Sequence, residues 1–434
     1  MTTHEFETTP RAGSGVRVLV VGASIAGPAL AHWLGRRGAE VTVVERAPSL
    51  RPGGQAVDAR GVAKEVIRRM GLDAAVRAAC TDTAGAHTVD ADGNVLETFR
   101  ADDDGGDGYI ADIEILRGDL SQVLYDDTRD RAEYIFGDRI AELTQDADGV
   151  DVTFASGDRR RFDLVIGADG LHSSLRAMVF GPHERFVRHL GHVLAFYSVP
   201  NEFGLDRWLI DHQEPGRSAG LRPIQDATRA MAMFSFTAAD LDVDYRDVEA
   251  QKRLLRERMA GLGWLTPRIL AHLDDTPDFY LDQVAQVVMD RWSSGRVGLL
   301  GDAAFSSSPM SGQGTGLALV GAYLLAGELA AAGWDPEAGF AGYERRMRPF
   351  VEANQEIGRL HARSRDIPAP DAEPTPEPDM EWLTDLIDRA INGAELPGYE
   401  GAPDSAAPTA PSATTPSATT PSATTPSATS SVRP

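Results

Sequence analysis

The stretch VRVLVVGASIAGPALAHWLGRRGAEVTVVER, residues 16–46, decides the fold. Val18 through Val21 form an unbroken aliphatic run, the pattern of a parallel strand buried on both faces. A Gly-rich turn follows from Gly22 to Gly27. A helical pattern then runs to about Arg37, Gly38 stops it, and residues 40–44 read as a second strand. Strand, turn, helix and strand within about thirty residues make a Rossmann-type βαβ unit. Gly22 permits the tight turn, and Gly27 permits close approach of helix and strand. Pro28 occupies the first helical turn, where no hydrogen bond is lost. The helix start offers free N–H groups and about half a positive charge, which suits a pyrophosphate. Glu45, roughly twenty residues beyond the turn, is placed to accept hydrogen bonds from ribose hydroxyls. Ser24 stands where such turns usually carry a second glycine. Taken alone, the motif also suits a structural turn that binds no nucleotide.

Two later segments repeat the theme of a buried strand running into a Gly and Asp turn. In DLVIGADGLHSSLR, residues 163–176, the strand delivers Asp169 and Gly170, with Ser173 and Arg176 on the helix that follows. This suits either a ligand turn or an acidic helix cap with Arg176 paired to Asp169. In GLLGDAAFSSSPMSGQGTGLAL, residues 298–319, Asp302 follows directly on a strand. Gly312, Gly314 and Gly316 leave bare backbone N–H groups at the start of a long helix. Such a helix start can stabilise negative charge on a bound ring.

Composition narrows the function. The chain has 434 residues, enough for two or three domains at about 100 to 200 residues each. A formal charge of −23 argues against nucleic-acid and anionic-membrane partners, which need basic surfaces. Cys80 is the only cysteine, so no intrachain disulfide or multi-thiolate metal site can form; it reads as a small buried apolar residue, and no metal is expected. Residues 1–15 lack the features of a signal peptide, and residues 317–333, the most membrane-like run, carry Glu328 and several small residues. A cytoplasmic protein that packs this run as a core helix is the expectation.

The sequence predicts an α/β fold with a discontinuous nucleotide-binding domain over residues 16–70, 115–185 and 290–345. Residues 71–114 and 186–289 form a substrate domain, its antiparallel sheet signalled by the apolar segments 193–199 and 230–236. Residues 346–400 form a C-terminal helical region. In it, residues 367–378 read as a linker, and Trp382, Leu383, Leu386, Ile387 and Ile391 recur at helical spacing. Disorder is expected for residues 1–15 and for residues 401–434, where PSATT repeats from Pro411 onward.

With its three motifs in this order, the chain resembles, from Arg17 to Arg365, the FAD-dependent aromatic monooxygenases similar to para-hydroxybenzoate hydroxylase. RPGGQAVDARG (residues 51–61), LRGDL (116–120) and GTGLALVGAYLLAGEL (314–329) look nearest the tetracycline-inactivating and polyketide-tailoring branch. The resemblance implies a Rossmann-type FAD-binding domain with an inserted antiparallel sheet and C-terminal helices. It implies FAD as cofactor, NADPH or NADH as co-substrate, and oxygen captured as a C4a-hydroperoxide that hydroxylates an aromatic or polyketide-type small molecule. The hard chemistry then belongs to the cofactor, and no side chain is expected to act as a direct acid or base. By the same resemblance Gly22, Ser24, Ile25, Ala26 and Gly27 cradle FAD, Glu45 and Arg46 hold the adenosine ribose, and Arg117 reaches the FAD chain. Asp302 binds the ribityl or pyrophosphate region, Pro309, Gly312, Gly314 and Thr315 line the isoalloxazine, and Asp58 touches the flavin. Arg51 meets the nicotinamide cofactor, while Asp169 and Gly170 serve both. Phe305 stands where many relatives carry His, which puts a proton relay there in doubt.

A substrate pocket is expected between flavin and inserted sheet, with Gln55, Trp208, Arg222, Phe236 and Pro309 as lining residues and Met233, Phe234 and Met289 as further candidates. Arg222 either pairs with a phenolate or enolate or is a solvated edge residue. A flavin-dependent halogenase would need a Trp-x-Trp-x-Ile-Pro segment, which is missing, and a catalytic Lys, whereas Lys64 reads as solvent-facing on a helix. A reductase or dehydrogenase without oxygen insertion, or a flavin-binding module without turnover, would use the same FAD residues. A monomer or weak dimer is expected.

Overall fold

The computed structural model describes residues 15–51, 53–101, 106–108, 110–238, 246–365 and 379–399. The PSATT tail, residues 1–14 and the 367–378 linker lie outside them. From the N-terminus the chain forms β1 (Arg17–Val21), α1 (Ala26–Arg36), β2 (Glu40–Glu45), β3 (Ala56–Asp58), α2 (Val62–Met70), α3 (Asp73–Ala78), β4 (Gly85–Val89) and β5 (Val95–Arg100). Next come β6 (Glu114–Leu116), α4 (Arg117–Thr128), β7 (Glu133–Phe136), β8 (Ile140–Gln145), β9 (Val150–Phe154), β10 (Arg159–Phe162), β11 (Leu164–Gly167) and α5 (Ser174–Phe180). Strands β12 (Val187–Pro200), β13 (Trp208–Glu214), β14 (Arg217–Pro223) and β15 (Arg229–Thr237) precede α6 (Val248–Met259), α7 (Thr266–Leu270) and β16 (Tyr280–Val287). The chain closes with β17 (Ser293–Ser294), β18 (Val297–Leu299), α8 (Asp302–Phe305), α9 (Gly314–Ala331), α10 (Pro336–Ser364) and α11 (Met380–Asn392).

The aliphatic run of β1 lies at the centre of a six-stranded sheet of order β17-β18-β11-β1-β2-β7. Parallel neighbours β2 and β11 flank it, and Val18, Leu19 and Val20 are wholly buried. Covering helices on both faces leave no place for the hydrophobic-and-polar alternation of a half-exposed strand. Helix α9 packs on α1, α2 and α10. It is long and apolar enough to span a membrane by composition, yet 78% of it is buried inside the protein, as a core helix requires.

The inserted region forms a seven-stranded sheet of order β16-β12-β15-β14-β13-β4-β5, mostly antiparallel but with β4 and β13 parallel. Its two faces differ, as the period of two dictates. Val193, Ala195, Tyr197, Ala219, Leu221, Ala232, Phe234 and Phe236 point to the back, onto Leu255, Met259 and Ile269 of α6 and α7. The opposite face turns toward the first domain. There Leu194 packs against a cluster of Val284, Met310 and Ala362, His192 bonds the Ala362 carbonyl at 2.9 Å, and Asp282 bonds His172 at 2.8 Å.

Helix α11 covers the span its hydrophobic spacing predicts, and Leu386 and Ala390 bury against Ala353 and Ile357 of α10. The chain then returns to α9. Gly327 leaves a notch filled by the Tyr399 ring, since a Cβ there would lie 2.2 Å from that ring, and the Tyr399 hydroxyl donates to Glu328 at 2.7 Å. Tyr399→Ala is expected to lower unfolding stability by about 2 kcal/mol in urea denaturation, because ring packing and a charge-assisted hydrogen bond are lost together.

Candidate active site

Gly22 ends β1 at φ +108°, and a Cβ there would meet the Ala168 carbonyl oxygen at 2.5 Å, so only glycine lets the first turn lie against the end of β11. The N-terminus of α1 has no side-chain cap, which leaves its first-turn N–H groups available to an anion. Glu45 organises this turn from the end of β2. Its two carboxylate oxygens accept from Ala23 N–H and Ala47 N–H, each at 2.9 Å, and keep lone pairs for further donors. Arg46 is exposed beside it. Arg117, at the start of α4, donates through Nε to Ser24 Oγ at 3.1 Å, so its guanidinium lies across the turn. Ser24 is therefore where the turn meets its nearest cation. Residues 53–55 brace the same helix start, with Gly53 accepting from Gly118 N–H at 2.7 Å and Gln55 from Arg117 N–H at 3.0 Å. Arg51 is exposed at the rim.

From the other side the 301–316 segment closes in. Gly301 at φ +64° starts α8, and Asp302 opens its carboxyl into the cleft. The protein packed around it limits its hydration and raises its pKa, while Arg117 opposes the shift and marks the two as neighbours. Tyr280 of β16, 43% exposed, belongs to the same cluster, with Arg117 and Asp302 among the charges acting on it. Ser308 sits at φ +75°, a backbone region costly for a residue with a Cβ, and so turns the chain sharply into exposed Pro309. Exposed Gly312 and the uncapped N-terminus of α9, with Gly314 and Thr315, complete this wall.

Asp58 and Arg60 bridge the two walls. Their side chains pair at 2.8 Å, and Arg60 also reaches the Gly312 carbonyl at 3.4 Å. Burial raises the Asp58 carboxyl above its usual range, against the pull of Arg60. In the Asp-Gly turn both oxygens of Asp169 are taken by the start of α5, from Ser173 Oγ at 2.5 Å, Ser174 N–H at 2.8 Å and Leu175 N–H at 3.2 Å. This is the helix-cap arrangement, but Arg176 is not its partner. Buried Arg176 donates to the Ala303 and Leu171 carbonyls, at 2.8 and 2.6 Å, and so ties the second motif to the third. Gly170, at φ +81° with no neighbour within 4 Å of its Cβ position, leaves bare backbone open.

On the sheet side the structure departs from several expectations. Phe236 and Phe234 face α6 and α7, away from the cleft. Trp208 also lies on the back face, stacked on His87 with ring centroids 4.3 Å apart. Both follow from strand parity, which a sequence with apolar residues at odd and even positions does not reveal. Arg222 does point to the cleft side, but it is neither a solvated edge residue nor an open cation: it forms a tight ion pair with Glu114 of β6. Met289 is core, and Phe305 packs among Trp292 and Tyr343 with 1% of its surface exposed. Lys64 does not face solvent freely, since Asp107 and Asp112 bind it at 2.8 and 2.6 Å. Cys80 is half-buried, and burial pushes its thiol up, away from the reactive thiolate.

Glu114 is the principal residue that motif reading missed. It accepts from Arg222 and from the Thr81 and Thr83 hydroxyls, each at 2.6 Å, and stands opposite Asp58 across the β3–β6 pair. The available signal was an acid set between Ile113 and Ile115 in a buried strand. Among the described residues no cluster of His, Cys, Asp or Glu is arranged to hold a metal ion.

Two uncapped helix starts, a Glu-braced turn and a desolvated Asp–Arg pair on one cleft define the site of a dinucleotide-type cofactor, and the residues present fit FAD. Residues 15–357 match the FAD binding domain family, to which the chain belongs. It is 49% identical over 373 residues to an uncharacterised protein of Mycobacterium tuberculosis, covering 85% of this chain and 98% of that one. A flavin-dependent monooxygenase from an unknown prokaryotic organism is 39% identical over 383 residues, covering 88% and 99%. The crystal structure of tetracycline destructase Tet(51) superposes with a TM-score of 0.78 at 37% identity, covering 89% of this chain and 99% of that one. The protein is an FAD-dependent monooxygenase that uses NAD(P)H, and a reductase without oxygen insertion is not favoured.

Proposed function

We propose that this enzyme hydroxylates a flat, fused-ring aromatic of polyketide or tetracycline type, bound between the cleft-facing side of the seven-stranded sheet and the 309–316 wall. The carrying observation is convergence. Met310 of that wall shares one apolar cluster with Val284 and Leu194 of the sheet, and the Asp58, Arg60, Glu114 and Arg222 chain joins the opposite rim to the same sheet. The similarity to tetracycline destructase Tet(51) supports the substrate class. Bound FAD, reduced by NAD(P)H, supplies the oxygen-activating chemistry. The N-terminus of α1 and Glu45 with Arg46 hold the adenosine diphosphate half, while Arg117 and Asp302 orient the chain between the two halves. Asp58, Pro309, Gly312, Gly314 and Thr315 fix the ring, and the α9 helix start favours negative charge at its edge. Arg51, Asp169 and Gly170 form the rim where NADH or NADPH approaches. The sheet excludes water from the reacting face. A cytoplasmic location, where NAD(P)H is supplied, suits this chemistry.

The test is to load the purified protein with FAD and offer tetracycline, a fused-ring anthraquinone and a simple phenol with NADPH or NADH under air. Fused-ring compounds are expected to accelerate NAD(P)H oxidation and to take up oxygen in step with hydroxylated product. Acceleration by the phenol alone rejects the substrate class, and product without oxygen uptake rejects hydroxylation. Asp302→Ala should weaken FAD binding by about 10- to 100-fold, read by flavin fluorescence, because it removes a charged acceptor and leaves Arg117 without its counter-charge.

A further inference from the structure

One row of residues crosses the cleft-facing side of the seven-stranded sheet. Cross-strand register aligns Tyr280 of β16, Phe196 of β12, Met233 of β15, Gly220 of β14 and Asp211 of β13. At about 4.8 Å per strand the row spans roughly 19 Å, longer than a single aromatic ring needs. The neighbouring row on one side carries Leu194, which packs against the apolar cluster that includes Met310 of the 309–311 turn. The row on the other side carries Arg222, bound to Glu114. The middle row therefore runs between the two segments assigned to the flavin ring.

Its chemistry changes along its length. The Tyr280 and Phe196 rings stack with centroids 6.4 Å apart, and Tyr280 stands in the field of Asp302 and Arg117. The Met233 thioether follows. Gly220 is buried, and a Cβ there would lie 3.2 Å from the Met233 methyl and 3.0 Å from Asp211 Oδ1. The methyl group and the carboxylate thus lean over the same gap. Asp211 Oδ2 accepts from Gln213 Nε2 at 2.5 Å, whereas Oδ1 receives no hydrogen bond from the described residues. Arg365, at the end of α10, acts on Asp211 only through space, and His212 points to the opposite face. Burial pushes the Asp211 carboxyl up to about 6, so it is ionised at neutral pH but poorly solvated. Such a group gains from a cationic donor delivered by a ligand.

We propose that Asp211 is a specificity-determining residue that receives a protonated amine on the end of a flat fused-ring substrate remote from the reacting ring. The proposal rests on the fused-ring reading above and adds the charge and position of the recognised group. Phe196 and Met233 support the ring face, and Gly220, lacking a Cβ, leaves room for the Met233 methyl and the Asp211 carboxylate to lie side by side.

Tetracycline, which carries a dimethylamine on a terminal ring, and 4-dedimethylaminotetracycline, which lacks it, separate the effects. Binding of each to FAD-loaded wild type and Asp211→Asn would be followed by the flavin absorbance change. Asp211→Asn is expected to weaken tetracycline by about 10- to 100-fold, to leave the amine-free analogue unchanged and to keep full FAD content. In turnover with tetracycline, KM should rise while kcat holds. Equal losses for both ligands mean a merely structural role and overturn the proposal, as does no loss for tetracycline. A wild-type enzyme that binds the amine-free analogue but not tetracycline overturns the anchor alone and leaves the fused-ring reading standing. If wild type binds neither, the fused-ring reading fails and the anchor falls with it.

Discussion

Gly27→Ala is expected to yield a protein that retains little FAD and unfolds well below the wild-type temperature. A Cβ at this position would sit 1.9 Å from the Gly22 carbonyl oxygen, which is backbone and has no rotamer through which to withdraw. The clash opens the turn that presents the α1 N-terminus, and it separates α1 from β1 in the most buried part of the six-stranded sheet. Overpacking of this kind costs about 3 kcal/mol or more, and the phosphate site is lost with the geometry. Thermal unfolding and flavin content after loading read both effects. A yellow variant with a wild-type melting point would show that Gly27 does not control helix and strand approach.

The second large effect is expected at Glu114. This carboxylate is 4% exposed, and it is the common partner of Arg222, Thr81 and Thr83. Glu114→Ala takes the carboxylate from the largely buried Arg222 guanidinium and from the Thr81 and Thr83 hydroxyls, a loss of about 3 kcal/mol. Because Arg222 lies on the cleft side of β14, substrate affinity should fall as well, while Gly27, Glu45 and the α1 turn remain intact. The pH dependence has a defined sign. Burial by itself would raise the Glu114 carboxyl, but Arg222 and the two threonine hydroxyls outweigh it and hold the pKa below the usual glutamate range. Its contribution to stability is therefore complete above the unfolded glutamate pKa of about 4.3 and is lost as pH falls through the lower folded value. Urea unfolding across the acid range should show this decline in wild type and a flatter profile in Glu114→Gln. Identical profiles would remove Glu114 from the acid sensitivity of the fold.

How much of this was legible depended on how local each feature is. The βαβ unit announced itself because buried parallel strands, a Gly turn and a Pro-started helix write their requirements into consecutive residues, and the same holds for α11 at 380–392. Trp208 and Phe236 were misjudged as pocket residues because strand parity depends on which face the helices cover, a fact set by α6 and α7 more than ten residues away in the chain. Arg222 was recognised as unusual, but its partner lies 108 positions earlier and no local pattern joins them.

The sequence by itself laid out a dinucleotide-type site, because nucleotide binding needs glycines, helix starts and acids in fixed local order, and the resemblance carried by its three motifs supplied FAD and the class of chemistry. Tertiary structure alone decided which sheet face meets the cleft, that Glu114 neutralises Arg222, and that Tyr280, Phe196, Met233, Gly220 and Asp211 fall into one line. Strand pairing brings together residues far apart in the chain. Their register follows from the burial of whole faces, and no single stretch of sequence contains that information.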